Sequence, residues 1–320
     1  MHTLASLLQG IDLADATVAG DPSVLLSQPV NFDMVAEGLG AEGLAWVKPG
    51  NEDRLPAGQP VAALVCTPES RAKIADPARI RAWVLTPSPR RVFAQLVQQG
   101  FAPQRPARIE PTAQIHPSAQ IGAGCYIGHY VVIEEGCMIG ERVQVLHHTV
   151  LMAGTEVGAD TTIGSHCTIG APGFGYERDA DGRPMAVPQV GRVRIGQRCH
   201  IHSNTCIDRA ALGFTQLHDD VAVDNLVHIA HGAVIGPRTF VIANAMVAGS
   251  ARIGADGWVA PSVNILNGIT LGDRLMTGMG ATVVKSAGDD QTLVGAPAEP
   301  IEQFKAWLRA RKRLTEGRQD

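Results

Sequence analysis

From Ile109 to Ser286 the chain repeats every six residues, and this repeat restricts the fold more than any other feature. The frames read IEPTAQ, IHPSAQ, IGAGCY, IGHYVV, IEEGCM and IGERVQ, then VGADTT and IGSHCT, and later VDNLVH, IAHGAV, IGPRTF, VAGSAR and LGDRLM. Position one is Ile, Val or Leu almost throughout, position two is often Gly, and position five is small. Fixed self-similarity marks a solenoid, whose units bury their apolar faces only by stacking on neighbours. Six residues are too few for a helical repeat. They suit a parallel β-helix with one short strand per hexad.

Three hexads complete an 18-residue coil of triangular section, so residues 18 apart stack about 4.8 Å above one another. The position-one aliphatics are expected to point into the prism and pack in β-branched ladders. Glycine at position two is expected to permit the tight corner. A narrow prism leaves little room for rings, in keeping with an aromatic content of 4% beside 35 glycines.

The net charge of -4, with acidic and basic residues interspersed, argues against a nucleic-acid partner. No apolar run reaches the 18 or so residues of a membrane span. The start, MHTLASLLQGIDLAD, lacks a basic region and a cleavage site, so no signal peptide is expected and the chain reads as cytoplasmic. Cys125, Cys137, Cys167 and Cys199 all fall at position five and read as small inward hydrophobes. The pairs His147/His148 and His200/His202 lack an evident third ligand, so no metal is expected.

Residues 1 to about 105 carry no hexads. VAALVCT (61–67) and AWVLT (82–86) read as buried strands. Ser88-Pro89 followed by RRVFAQLVQQG reads as an N-cap, a proline at the first helical position and an amphipathic helix ending at Gly100. This is a small α/β domain, followed by the proline-rich linker 101–111. Two insertions interrupt the hexads, one at 171–192 and a shorter one between Ile207 and Leu217. Long loops on a rigid scaffold concentrate binding residues. Near the C-terminus, Ile301, Phe304, Trp307 and Leu308 line one face of a helix rich in Lys and Arg.

Counting by 18 locates the chemistry. His231 sits at position three of IAHGAV, an outward corner; the same corner holds Gly249 one coil on and Asn267 after another. A histidine above a glycine offers a neutral-pH proton acceptor beside an unobstructed backbone N–H. That pairing suits acyl transfer, which needs a base for the nucleophile and a donor for the oxyanion. Asp224, on a neighbouring corner, could orient the imidazole. With eleven histidines in the chain, a solvated turn histidine is the competing reading.

The stretches DNLVHIAHGAVIG, GAPGFGY (170–176), PQVGRVRIG (188–196) and IDRAALG (207–213) resemble the UDP-3-O-(3-hydroxyacyl)glucosamine N-acyltransferases of lipid A biosynthesis, within the hexapeptide-repeat acyltransferases. The resemblance implies a left-handed parallel β-helix at 106–290, a uridine-binding-like α/β domain at 1–105 and a C-terminal helical extension at 291–320. It also implies a homotrimer with sites between adjacent prisms. His231 would be the general base, Asp224 its orienting acid and Gly249 the oxyanion donor. Asn225, Asn267, Trp46, Lys48, Phe174 and Tyr176 would bind substrate, and Met279 and Ala281 would line the acyl groove. No resident cofactor is implied; the donor would be a phosphopantetheine thioester on acyl carrier protein, and the acceptor a UDP-amino sugar.

The sequence departs from the family's pattern at three places. The uracil-pocket segment reads Ala45-Trp46-Val47-Lys48-Pro49-Gly50-Asn51, without the usual Asn and Tyr. Ile269 stands where many members have histidine, and Ala281 where methionine is common. These departures leave open a different nucleotide-linked amino sugar or an acyl-CoA donor, and a non-catalytic binding module is a third reading.

Overall fold

The computed structural model describes residues 1–11 and 15–316. The chain divides into two compact units, Met1–Gln104 and Arg105–Asp320.

The first unit holds a five-stranded sheet in the spatial order Thr17–Gly20, Ile80–Leu85, Val61–Cys66, Gly43–Trp46 and Gln28–Pro29. Only Thr17–Gly20 runs antiparallel to its neighbour. Every residue of Val61–Cys66 is buried because both faces of this central strand are covered, which explains its unbroken apolar run. One face packs on Leu4, Leu7, Val92 and Leu96 from two helices, and the other on Val30, Val35 and Trp83. The helix expected after Ser88 spans Pro89–Gly100 with proline in its first turn. Ser88 takes the N-cap position, but its side chain makes no capping bond. Its N–H donates instead to the Thr86 hydroxyl.

The second unit is the prism. Its strands are mostly two residues long and assemble into three sheets, one per side. Register partners lie 18 apart, as in Ile121↔Ile139, Val145↔Ile163 and Ile229↔Val247. The insertions stretch this offset, so Val157 pairs with Ile195 and Ile201 with Val223. The position-one side chains form one continuous core with the small residues of position five. The four position-five cysteines are buried with free thiols, and those of Cys125, Cys167 and Cys199 each donate to a neighbouring coil's carbonyl at 3.1 Å. Burial pushes the Cys199 thiol up to about 11.

The corners differ from the expectation. The left-handed residue is at position four, as at Tyr130, Arg142, Leu226 and Ser250, whose φ values lie between 55° and 61°. Apart from Gly170 at the start of the long insertion, position-two glycines have ordinary φ and serve close stacking. A Cβ on Gly236 would sit 2.4 Å from the Gly254 carbonyl carbon, and one on Gly140 would sit 2.6 Å from the Ala159 nitrogen. One column of position-four residues alternates in charge: Arg142/Asp160, Arg198/Asp220, Arg238/Asp256 and Arg274/Asp290 pair bidentately at 2.6–2.8 Å. Exposed pairs like these contribute little stability singly, but their fork geometry keeps adjacent corners in register.

A helix, Ile301–Glu316, ends the described chain. Phe304 packs near Gly295 and stacks with Trp307 at 5.8 Å. Trp307 and Leu308 are 51% and 42% exposed, so the expected apolar face is only partly covered. No helix among the described residues is long and apolar enough to cross a membrane.

Candidate active site

His231 follows the strand His228–Ile229, and its half-buried imidazole lies along the prism edge, close to two glycines. A Cβ built on Gly249 would meet the ring at 2.6 Å from Cε1 and 2.7 Å from Nε2. Gly173 from the long insertion also approaches this side chain, and a Cβ there would meet His231 Cβ at 2.8 Å and Cδ2 at 2.9 Å. Only glycine allows backbone this close to the His231 side chain at both positions. The column is tied by backbone bonds: the Ser250 N–H donates to the His231 carbonyl at 2.8 Å, and the Gly268 N–H to the Gly249 carbonyl at 2.9 Å. Asn267, on the third coil of the same edge, is exposed.

Two polar groups at this edge stand open. Among the described residues, neither imidazole nitrogen of His231 has a hydrogen-bond partner, and the Gly249 N–H donates to nothing. At position three of several other coils, the N–H is capped by a side chain from an adjacent coil. His129 donates to His147 Nδ1, Ala153 to Glu134, Ser165 to Ser203, Gln197 to Asp219, Ala243 to Asp224 and Ala255 to Asp273. At Glu141, His147, Ala159 and Asn267, as at Gly249, the N–H donates to no group among the described residues. The Gly249 amide is left as a donor beside a proton acceptor.

The other expected residues divide between two edges. Asp224, Asn225 and Met279 belong to the next edge, separated from His231 by a flat side of the prism. The Asp224 carboxylate accepts from the Asn225 N–H at 2.7 Å, Asn225 Nδ2 at 2.9 Å and the Ala243 N–H at 3.2 Å. Within one chain it therefore does not orient the His231 imidazole. Asn225 also accepts from the Ser203 N–H, and Met279 is 78% exposed.

Ala281 does not line a surface groove: it is fully buried at inward position five. Ile269 occupies the same kind of position and belongs to the core. The pleat turns both side chains inward.

The insertion forms a hairpin, Tyr176–Arg178 against Pro184–Ala186. Phe174 and Tyr176 contact each other at 4.8 Å and project outward, 84% and 51% exposed, next to the Gly173 that touches His231. In the first unit, Trp46 and Lys48 line a cleft of about 460 Å³ together with Asn31, Phe32, Asn51 and Phe93. Trp46 and Phe93 approach to 6.2 Å between ring centres.

Two features escaped the sequence reading. Gly173 has no place in the hexad count, and Phe32 and Phe93 come from elements without a repeat. Of the histidine pairs weighed as metal ligands, His147 caps the His129 N–H, and His148 stacks between Tyr130 and His166 at 5.0 and 4.9 Å. His200 and His202 are exposed on the prism surface.

Residues 109–172 match the family model of the GMPPB C-terminal domain. The UDP-3-O-acylglucosamine N-acyltransferase of Delftia acidovorans is 36% identical over 137 residues, covering 43% of this chain and 40% of that protein. The enzyme of the same name from Albidiferax ferrireducens is 37% identical over 137 residues, 43% of this chain and 41% of its own. The chain thus spans about two fifths of the length of these curated relatives. Among solved structures, a UDP-N-acetylglucosamine acyltransferase from Bacteroides fragilis covers 60% of this chain and 73% of its own at 25% identity, with a TM-score of 0.51. The Francisella novicida enzyme of that name covers 60% and 69% at 21% identity, with a TM-score of 0.56. The second unit is therefore a left-handed parallel β-helix of hexapeptide repeats, with the fold of the UDP-N-acetylglucosamine acyltransferases and a sequence similar to UDP-3-O-acylglucosamine N-acyltransferases over about two fifths of their length.

Proposed function

We propose that the chain is an N-acyltransferase that moves a 3-hydroxyacyl group from acyl carrier protein to the amine of UDP-3-O-acylglucosamine, in the lipid A route and in the cytoplasm. The observation that carries this reading is the uncapped Gly249 amide beside the unpartnered imidazole of His231. The names of the relatives support the choice of acceptor.

In this reading a ring nitrogen of His231 takes the proton as the amine attacks the thioester carbonyl. The carbonyl oxygen gains negative charge, and the Gly249 N–H, which has no bond to break first, donates to it. Collapse expels the phosphopantetheine thiolate, which recovers the proton from the imidazolium. The carbon–nitrogen bond formed and the carbon–sulfur bond broken leave the enzyme unchanged, so no resident cofactor takes part.

Phe174 and Tyr176 supply apolar surface for the acyl chain or sugar near the base. In the first unit, Trp46 with Phe32 and Phe93 offers a stacking surface for uracil, worth roughly 1–3 kcal/mol per base. Lys48 supplies charge for the diphosphate. Asp224, Asn225 and Met279 lie one edge away from His231, so a site using both sets takes one edge from each of two prisms. A cyclic homotrimer makes three such sites. The Lys- and Arg-rich terminal helix suits an acidic carrier protein.

The test is a mass-spectrometric product assay crossing acyl-carrier-protein and CoA thioesters with a panel of UDP-amino sugars. The expected result is an amide product whose highest kcat/KM belongs to UDP-3-O-acylglucosamine and a carrier-protein donor. Transfer confined to another acceptor or to CoA would replace this reading with that substrate. Absence of transfer across the panel would leave a binding module.

A further inference from the structure

Outside the His231 edge, one flat side of the prism gathers three side chains of a different kind. Cys206 and His228 are direct register partners on adjacent coils. Cys206 opens Cys206–Arg209, a strand twice the usual length here, and Asp208, two residues along, returns to the same face. His228 Nε2 lies 3.3 Å from Asp208 Oδ2, and Cys206 Sγ lies 3.5 Å from Asp208 Oδ1. One donor atom from each residue falls within 4.8 Å of the other two. Asp208 is 5% exposed, while Cys206 and His228 are half-buried, so the cluster opens to one side.

An ion pair alone accounts for part of this arrangement. The buried Asp208 carboxylate needs a compensating charge, which the His228 imidazole beside it can supply. The thiol donates to the other oxygen of the same carboxylate, Asp208 Oδ1, at 3.5 Å. Cys206 is also set apart from the other four cysteines of the prism, which all turn inward. Thiolate, imidazole and carboxylate are the three donor types that zinc accepts, and a tetrahedral zinc ion separates its ligand atoms by roughly 3.3–3.8 Å. His228 Nε2 and Cys206 Sγ approach the two Asp208 oxygens at 3.3 and 3.5 Å, and one donor atom from each of the three residues lies within 4.8 Å of the others, close enough to draw in around one ion.

We propose that Cys206, Asp208 and His228 form a binding site for a divalent transition metal of the zinc type, with water as fourth ligand on the open side. The thiolate and the neutral imidazole are the ligating forms, so binding releases whatever protons these two groups held. The two anionic ligands then neutralise the dication, so no net charge remains in the half-buried site. The ion would clip the coil of Cys206–Asp208 to the coil that runs from His228 into His231.

Cobalt(II) titrated into the metal-free full-length chain tests this. The expected result is one equivalent bound, with a thiolate-to-cobalt charge-transfer band in the near ultraviolet and intense visible bands of four-coordination, all removed by added zinc. Cys206→Ser is expected to abolish the charge-transfer band, and His228→Gln to weaken binding at least about tenfold. Absence of the band, or its persistence unchanged in Cys206→Ser, would overturn the site and leave an ion pair beside a hydrogen-bonded thiol. X-ray absorption on the zinc-loaded unmutated chain decides the same question without a variant. One sulfur at about 2.3 Å supports the site, and a shell of nitrogen and oxygen alone refutes it. Neither readout depends on acyl transfer.

Discussion

His231→Ala is expected to slow acyl transfer by about 10²–10⁴-fold, the range lost when a positioned general base is removed. The loss should fall on kcat, because the ring is assigned to proton transfer rather than to holding either substrate. Stability should change little. The half-buried ring makes no side-chain hydrogen bond among the described residues, and such substitutions usually stay within about 0.5 kcal/mol. Thermal unfolding beside steady-state kinetics separates the two effects. Near-normal turnover in a folded His231→Ala chain would remove the base from the mechanism.

Gly249→Ala is expected to cost about 10²-fold or more in kcat through geometry alone. The added methyl would lie 2.6 and 2.7 Å from Cε1 and Nε2 of His231, closer than any real carbon contact. Gly173, which approaches Cβ and Cδ2 of the same side chain, restricts where the ring can move. Gly249 is not among the residues with positive φ, so alanine brings no backbone strain of its own. The variant should therefore fold and bind while the imidazole and the amide lose their alignment. Kinetics on the folded variant check this, and unchanged kcat would show that the close approach has no catalytic role.

The sequence exposed the prism clearly because its periodic signal is redundant: each inward aliphatic recurs at every hexad, and each coil repeats the one before. The same ruler found His231, Gly249 and Asn267 on one edge, since no insertion interrupts 223–286. Upstream of that stretch the ruler stretches. Cys206 pairs with His228, 22 residues on, because a short insertion lengthens that coil, so counting by 18 never juxtaposes them. The roles within a hexad were harder to read than its period. Glycine at position two suggested a turn, whereas the turn falls at position four and the glycine serves coil-to-coil contact. Ala281 and Ile269 stand out in the motif as departures from the family, yet position five of the pleat turns both inward. In the first unit Trp46 was visible from its segment. Phe32 and Phe93 were not, because tertiary packing alone brings them to the same cleft.

The central claim is that the His231 imidazole and the Gly249 amide act as one unit on one reacting carbonyl. A double-mutant cycle of His231→Ala, Gly249→Ala and the combined variant, read as kcat/KM for amide formation, tests it most directly. The expected result is strong non-additivity, with the double variant about as slow as the slower single variant. Losses that simply multiply would show that the two residues act independently and would contradict the account.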